Sequence, residues 1–106
     1  MTRDPGAIVS IPGNIQILAP WRSLEEDRPR ADLLSAQLLS DISPSHPLCG
    51  AELRAVGART DRDDVLFEIT GGDAPLAVVH MTWRKESDPR WPTTKFYQSW
   101  EQWSQE

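Results

Sequence analysis

Two histidines and one cysteine are the residues of this 106-residue chain best suited to acid–base, nucleophilic or metal chemistry. Their spacing decides how far that suitability goes. His46 and Cys49 stand close together in Ser45-His46-Pro47-Leu48-Cys49-Gly50. Structural zinc takes about four good ligands, and His80 is the remaining imidazole. The motif therefore reads as a proline-rich connector with a buried thiol, and no metal or cofactor is expected. As a nucleophile pair it lacks a third group to orient the base. The acidic run Asp61, Asp63, Asp64 lacks the ligand spacing and central glycine of an EF-hand and reads as a solvated turn. Gly71-Gly72 reads as a hairpin turn rather than a phosphate loop.

His80 has better company. Asp64 to Trp83 holds two β-rich runs around Gly71-Gly-Asp-Ala-Pro75, a strong hairpin pattern. A register pairing Thr70 with Leu76 also pairs Phe67 with Val79 and Val65 with Met81. Val65, Phe67, Ile69, Ala77, Val79 and Met81 then share one apolar face, since side chains alternate with period 2. Leu66, Glu68, Thr70, Leu76, Val78, His80 and Thr82 share the other. A further strand over 51–60 joins through an Arg62-Asp63 turn. It puts Val56 and Ala58 on the apolar face and Ala55, Gly57 and Arg59 on the mixed one. The small residues leave room for a packed helix or a ligand.

In that register Glu68 lies diagonal to His80, with Arg59 and Thr82 nearby. A carboxylate beside an imidazole fixes its tautomer, an arrangement used in general acid–base catalysis. With no nucleophile or phosphate-binding motif beside it, a contact surface is the stronger reading and an enzyme the weaker. The candidate binding surface is His80, Glu68, Arg59, Leu66, Thr82 and Trp91, with no catalytic residue assigned.

Two helices complete the plan. Pro29 suits a first helical position. Ala31, Leu34, Leu38 and Ile42 follow at helical spacing, Leu33 and Leu39 widen the stripe, and Ser43-Pro44 ends it. After Trp83 the chain turns polar, and two prolines around Trp91 predict a loop. Thr93 or Thr94 caps a terminal helix whose stripe is Phe96, Trp100 and Trp103. Residues 1–20 form either a mobile arm or a small hairpin turning at Pro12-Gly13-Asn14. The fold class predicted is α+β: a three-stranded antiparallel meander with a helix in the N-terminal half and a short C-terminal helix, in one domain over 1–106.

Composition excludes several classes of function. Sixteen acidic residues against eleven basic give a net charge of −5, which disfavours nucleic acid because phosphate binding needs clustered positive charge. No apolar run approaches a membrane span, and the start lacks the pattern of a secretory signal. Cys49 has no partner for an intrachain disulfide, which suits a reducing, cytoplasmic setting. Five tryptophans are many for this length, and most are expected in the core.

His46-Pro-Leu-Cys-Gly50, Asp63-Asp-Val-Leu-Phe67, Ala77-Val-Val-His-Met-Thr-Trp83 and Asp88-Pro-Arg-Trp-Pro92 together resemble a group of small uncharacterised bacterial proteins with this motif order. The resemblance covers about the last sixty residues, leaves 1–45 outside, and implies only a bacterial, stand-alone domain. The leading expectation is a non-enzymatic protein-binding domain of the immunity, inhibitor or accessory type. A small-molecule site or minor enzyme on the Glu68–His80 face is the alternative. A third reading is a structural subunit of a homo-oligomer, a homodimer included.

Overall fold

Asp27 starts the first helix by accepting from Arg30 N–H at 3.3 Å, with Pro29 in the first turn. Both features satisfy or remove donors that a helix start leaves unpaired. The computed structural model describes residues 11–12, 15–70 and 74–105. In chain order it contains β1 (Trp21–Ser23), α1 (Arg28–Asp41), β2 (Glu52–Arg59), β3 (Asp64–Thr70), β4 (Leu76–His80), β5 (Thr94–Tyr97) and α2 (Trp100–Ser104). The strands form one antiparallel sheet in the order β1-β2-β3-β4-β5. The α+β class holds, and the three-stranded meander is its centre, extended by a strand at each edge.

α1 covers one face. Ala31, Leu34 and Leu38 bury against Ala55, Ala58, Phe67, Ala77 and Val79 in a continuous cluster. The alanines let the helix lie close to the sheet. Ser35 Oγ accepts from Ala55 N–H at 3.0 Å and donates to Ala31 O at 2.9 Å, tying the two layers together. Leu33 and Leu39 do not widen the stripe: Leu33 is 71% exposed and Leu39 also lies outside the core. They project from the flank of α1, beyond the width that the sheet can cover.

Two register differences matter for the site. β3 pairs with β4 two residues away from the expected register, setting Phe67 opposite Ala77, Leu66 opposite Val78 and Asp64 opposite His80. A two-residue shift preserves every face, so Val65, Phe67, Ile69, Ala77, Val79 and Met81 still share the α1 side. A bulge between Ala55 and Gly57 interrupts β2. It moves Ala55 to the α1 side and Val56 to the other, reversing both from the sequence expectation. Gly57 keeps its expected face, opposite Leu66 and beneath Trp21.

The second face is also covered. Val56, Leu66, Leu76, Tyr97 and Trp103 are buried there, and Ile11, Ile15, Ile17, Trp21, Val78 and Trp100 pack around them. The expected aromatic helical stripe is instead split between two elements. Phe96 belongs to β5, opposite Ala77, and Ser99 rather than Thr93 or Thr94 caps α2, accepting from Gln102 N–H at 3.0 Å. Only Trp100 and Trp103 are helical, and they meet edge-to-face at 5.9 Å. No strand occurs at 11–12 or 15–18; the rest of the proposed N-terminal hairpin and part of the arm lie outside the described residues. No helix among the described residues is long and apolar enough to cross a membrane.

Candidate functional site

The register difference separates the expected Glu68–His80 pair. Glu68 stands opposite Leu76 and beside Arg54, while His80 stands opposite Asp64 at the other end of the strands. Four residues of strand, about 13 Å, divide them. The partner of His80 is Asp64, whose Oδ1 lies 2.7 Å from Nδ1. That contact makes Nδ1 the donor and Asp64 the acceptor. Arg62 Nε binds the second carboxylate oxygen at 3.1 Å. Asp64 thus has a cationic or N–H partner on each oxygen.

Leu66 is 0% exposed and forms core beneath the second face, which removes it from any contact surface. Arg59 stays on that face. Its guanidinium is bonded to Asp61 through Nε and Nη2, both at 2.8 Å, and its carbon lies 5.8 Å from the Trp21 ring. The hydrogen bonds from Arg59 hold the Asp61 carboxyl down at about 2. Between Arg59 and His80 the covering elements leave a groove of about 470 Å³. Trp21, Tyr97 and Trp103 form its walls, and Val78, Arg62 and Asp64 also line it. A second lobe of about 300 Å³ continues past Asp64 and Val78 to His80, Thr94 and Lys95.

Thr82 and Trp91 belong to a different place, the loop over residues 81–93. Two neighbouring segments hold that loop. Met81 N–H donates to Asp63 O at 2.9 Å, Glu86 N–H to Asp41 O at 2.7 Å, and His80 N–H to Thr93 O at 3.0 Å. His46 supplies the buried clamp. Leu48 N–H donates to its Nδ1 at 3.0 Å, so Nε2 carries the proton and donates to Pro92 O at 3.0 Å. The motif His46-Pro-Leu-Cys49 is therefore a structural brace. Its thiol, expected to be buried, is exposed. The buried neighbours Asp41 and Ser43 do not make a catalytic set with His46, because both imidazole nitrogens serve backbone groups. Among the described residues no group of three His, Cys, Asp or Glu side chains could hold a metal ion.

The clamped loop presents tryptophan and arginine outward. Trp83 is 46% and Trp91 45% exposed. Trp83 sits at φ 62°, a left-handed conformation that bulky side chains rarely adopt and that costs on the order of 1–3 kcal/mol. Arg84 is braced by Glu86 at 3.0 Å, and Arg90 by a forked contact to Asp88 whose shortest distance is 2.7 Å. These guanidiniums hold both the Glu86 and Asp88 carboxyls below their ordinary values. Sequence reasoning found Trp91 and missed Trp83. The signal was present, since Trp83 ends an alternating strand and begins a polar, proline-bearing run. No family model, curated protein or solved structure matches the chain.

Proposed function

We propose that the chain is a small, cytoplasmic bacterial protein-binding domain of the immunity, inhibitor or accessory type, with no catalytic role, and that the loop over residues 81–93 is its contact surface. One observation carries this reading: two tryptophans and two arginines are exposed together on a loop whose backbone is clamped. Tryptophan and arginine dominate interface energetics. Ordering them before contact removes part of the entropy cost of binding. The left-handed Trp83 adds to this, because a strained backbone turns a large apolar side chain out to water instead of into either core.

The loop also contains Thr82, which donates to Arg84 O at 3.4 Å and so helps to shape the turn after β4. Of the expected surface, Thr82 and Trp91 are retained in this reading, and His80 and Arg59 go to the groove. Comparative capture from a bacterial extract tests it. Immobilised wild-type chain and an Arg62→Gln control should retain a common protein that Trp83→Gly/Trp91→Ala releases, with all three chains folded by circular dichroism. Retention that is indifferent to the loop substitutions would contradict the proposal. A concentration-dependent homodimer abolished by the same substitutions would instead identify the partner as a second copy.

A further inference from the structure

The buried clamp on the loop over residues 81–93 contains a titratable group whose proton count fixes its geometry. His46 is buried. Its Nδ1 must accept, because the group facing it at 3.0 Å is Leu48 N–H. Its Nε2 must donate, because the group facing it at 3.0 Å is Pro92 O. Thr94 Oγ1, which donates to Pro92 O at 3.1 Å, is the third polar group at the ring. Only a neutral imidazole with its proton on Nε2 offers both that acceptor and that donor. A second proton would turn Nδ1 into a donor aimed at another donor. Among the described residues no charged side chain bonds to the ring. The carboxylates of the elements packed there have other partners. Asp41 takes two bonds from Gln37 Nε2, at 3.0 and 2.9 Å, while Glu86 pairs with Arg84 and Asp88 with Arg90.

We propose that His46 is an acid-sensitive latch on the contact loop. The imidazolium and the clamp exclude each other, so acidification expels the ring and loosens the Trp91 end of the loop. The consequence, a weaker hold on the partner, rests on the reading of residues 81–93 as the contact surface; the opening itself is a property of the fold. An imidazole in water takes its proton at about pH 6.5. The clamp is therefore favoured above that value, and each unit below it shifts the balance about tenfold towards the open form. By about pH 5 the shift is about thirtyfold, comparable with the factor that two net hydrogen bonds contribute. The two ends of the loop respond differently. Trp83 lies between Met81 N–H bonded to Asp63 O and Glu86 N–H bonded to Asp41 O, neither of which takes up a proton. Trp91 immediately precedes Pro92 at the latch. His80, the other histidine, is exposed, and its protonation strengthens the bond to Asp64 rather than breaking it.

Nitrogen NMR of the histidine rings and tryptophan indoles, followed from about pH 8 down to about pH 5, reads both events. At the upper limit His46 should show the tautomer protonated on Nε2. On acidification that signal should give way to the imidazolium, the Trp91 indole should shift with the same midpoint, and the Trp83 indole should not follow. His80→Gln should leave this behaviour unchanged, and His46→Gln should abolish it. A His46 ring still neutral at about pH 5, or an imidazolium formed with Trp91 unmoved, would overturn the latch. So would a Trp91 shift that disappears in His80→Gln or persists in His46→Gln. Should His46→Gln not fold, the ring signals and His80→Gln decide. Capture from a bacterial extract separates the latch from the contact reading. Loop-dependent retention should weaken about twofold or more at about pH 5, in proportion to the open clamp. Retention indifferent to pH despite release of Trp91 would overturn the regulation. Release of Trp91 with no loop-dependent retention at either pH would contradict the contact reading instead.

Discussion

The two faces of the sheet are closed by different means. On the α1 side a fourteen-residue helix lies over alanines and branched aliphatics, and among the described residues Phe67 is the one buried aromatic there. On the other side a five-residue helix and an irregular segment do the covering, and Trp21, Tyr97, Trp100 and Trp103 supply the bulk. A regular helix on a small-residue surface leaves few gaps, because its ridges approach the sheet evenly. A few large rings cover as much apolar area per residue but meet at their edges, and the spaces between them form a groove. The closed face is packed continuously, and the patched face keeps a groove.

Core truncations sharpen that contrast most. Phe67→Ala should cost about 3–5 kcal/mol, since a wholly buried ring leaves a cavity that a tightly packed layer cannot refill. Trp103→Ala should fall at the low end of the same range, about 3 kcal/mol, because its space opens towards the groove and water can enter. Denaturant melts of the two variants measure both. A Trp103 substitution costlier than the Phe67 one would break the comparison.

The two histidines repeat the contrast on a smaller scale. His46→Ala strands a buried amide N–H and a carbonyl, at about 1–3 kcal/mol for each group left unpaired. His80→Ala removes an exposed ring and should stay within about 0.5 kcal/mol. Similar losses for the two would mean that the second face is interior structure as far as His80. Next in size is Trp83→Gly. It relieves the left-handed strain and adds freedom to the unfolded chain, so the melt should move by no more than about 1 kcal/mol in either direction.

The smallest effect is one of pH. Asp61 is lowered from 3.8 to about 2 in the folded chain, first by its hydrogen bonds from Arg59. A folded value below the unfolded one means that the pair stabilises above pH 3.8 and that this is lost as pH falls through about 2. The acid limb of the stability curve in this window should flatten in Asp61→Asn. An unchanged acid limb would show that the pair contributes nothing.

Parity explains how much of this was legible in the sequence. The alternation in Val65, Phe67, Ile69 and Ala77, Val79, Met81 marks a shared face, and any even register preserves it. For the same reason alternation could not distinguish Asp64 from Glu68 as the partner of His80. The bulge at Val56 breaks the period on which the assignment of Ala55 rested, and the adjacent Gly57, an isolated glycine inside a strand, was the signal for it. Phe96, Trp100 and Trp103 match a helical spacing by coincidence. A strand, the Ser99 cap and a short helix place them in sequence, and Thr94-Lys-Phe-Tyr97 already had strand composition. β1 is too short for alternation to show. The groove was not legible, because its lining comes from residues 16–21, β2, β3, β4, β5 and α2 rather than from one stretch of sequence.

Fluorine NMR of the chain labelled with 5-fluorotryptophan tests the central claim most directly, since five resonances report on both surfaces at once. Each is assigned by single substitution, and the protein retained in the capture experiment is then titrated in. The account predicts that Trp83 and Trp91 shift or broaden on complex formation while Trp21, Trp100 and Trp103 hold their positions. Movement of Trp21 and Trp103 with Trp83 and Trp91 unchanged would contradict it and assign partner contact to the patched face.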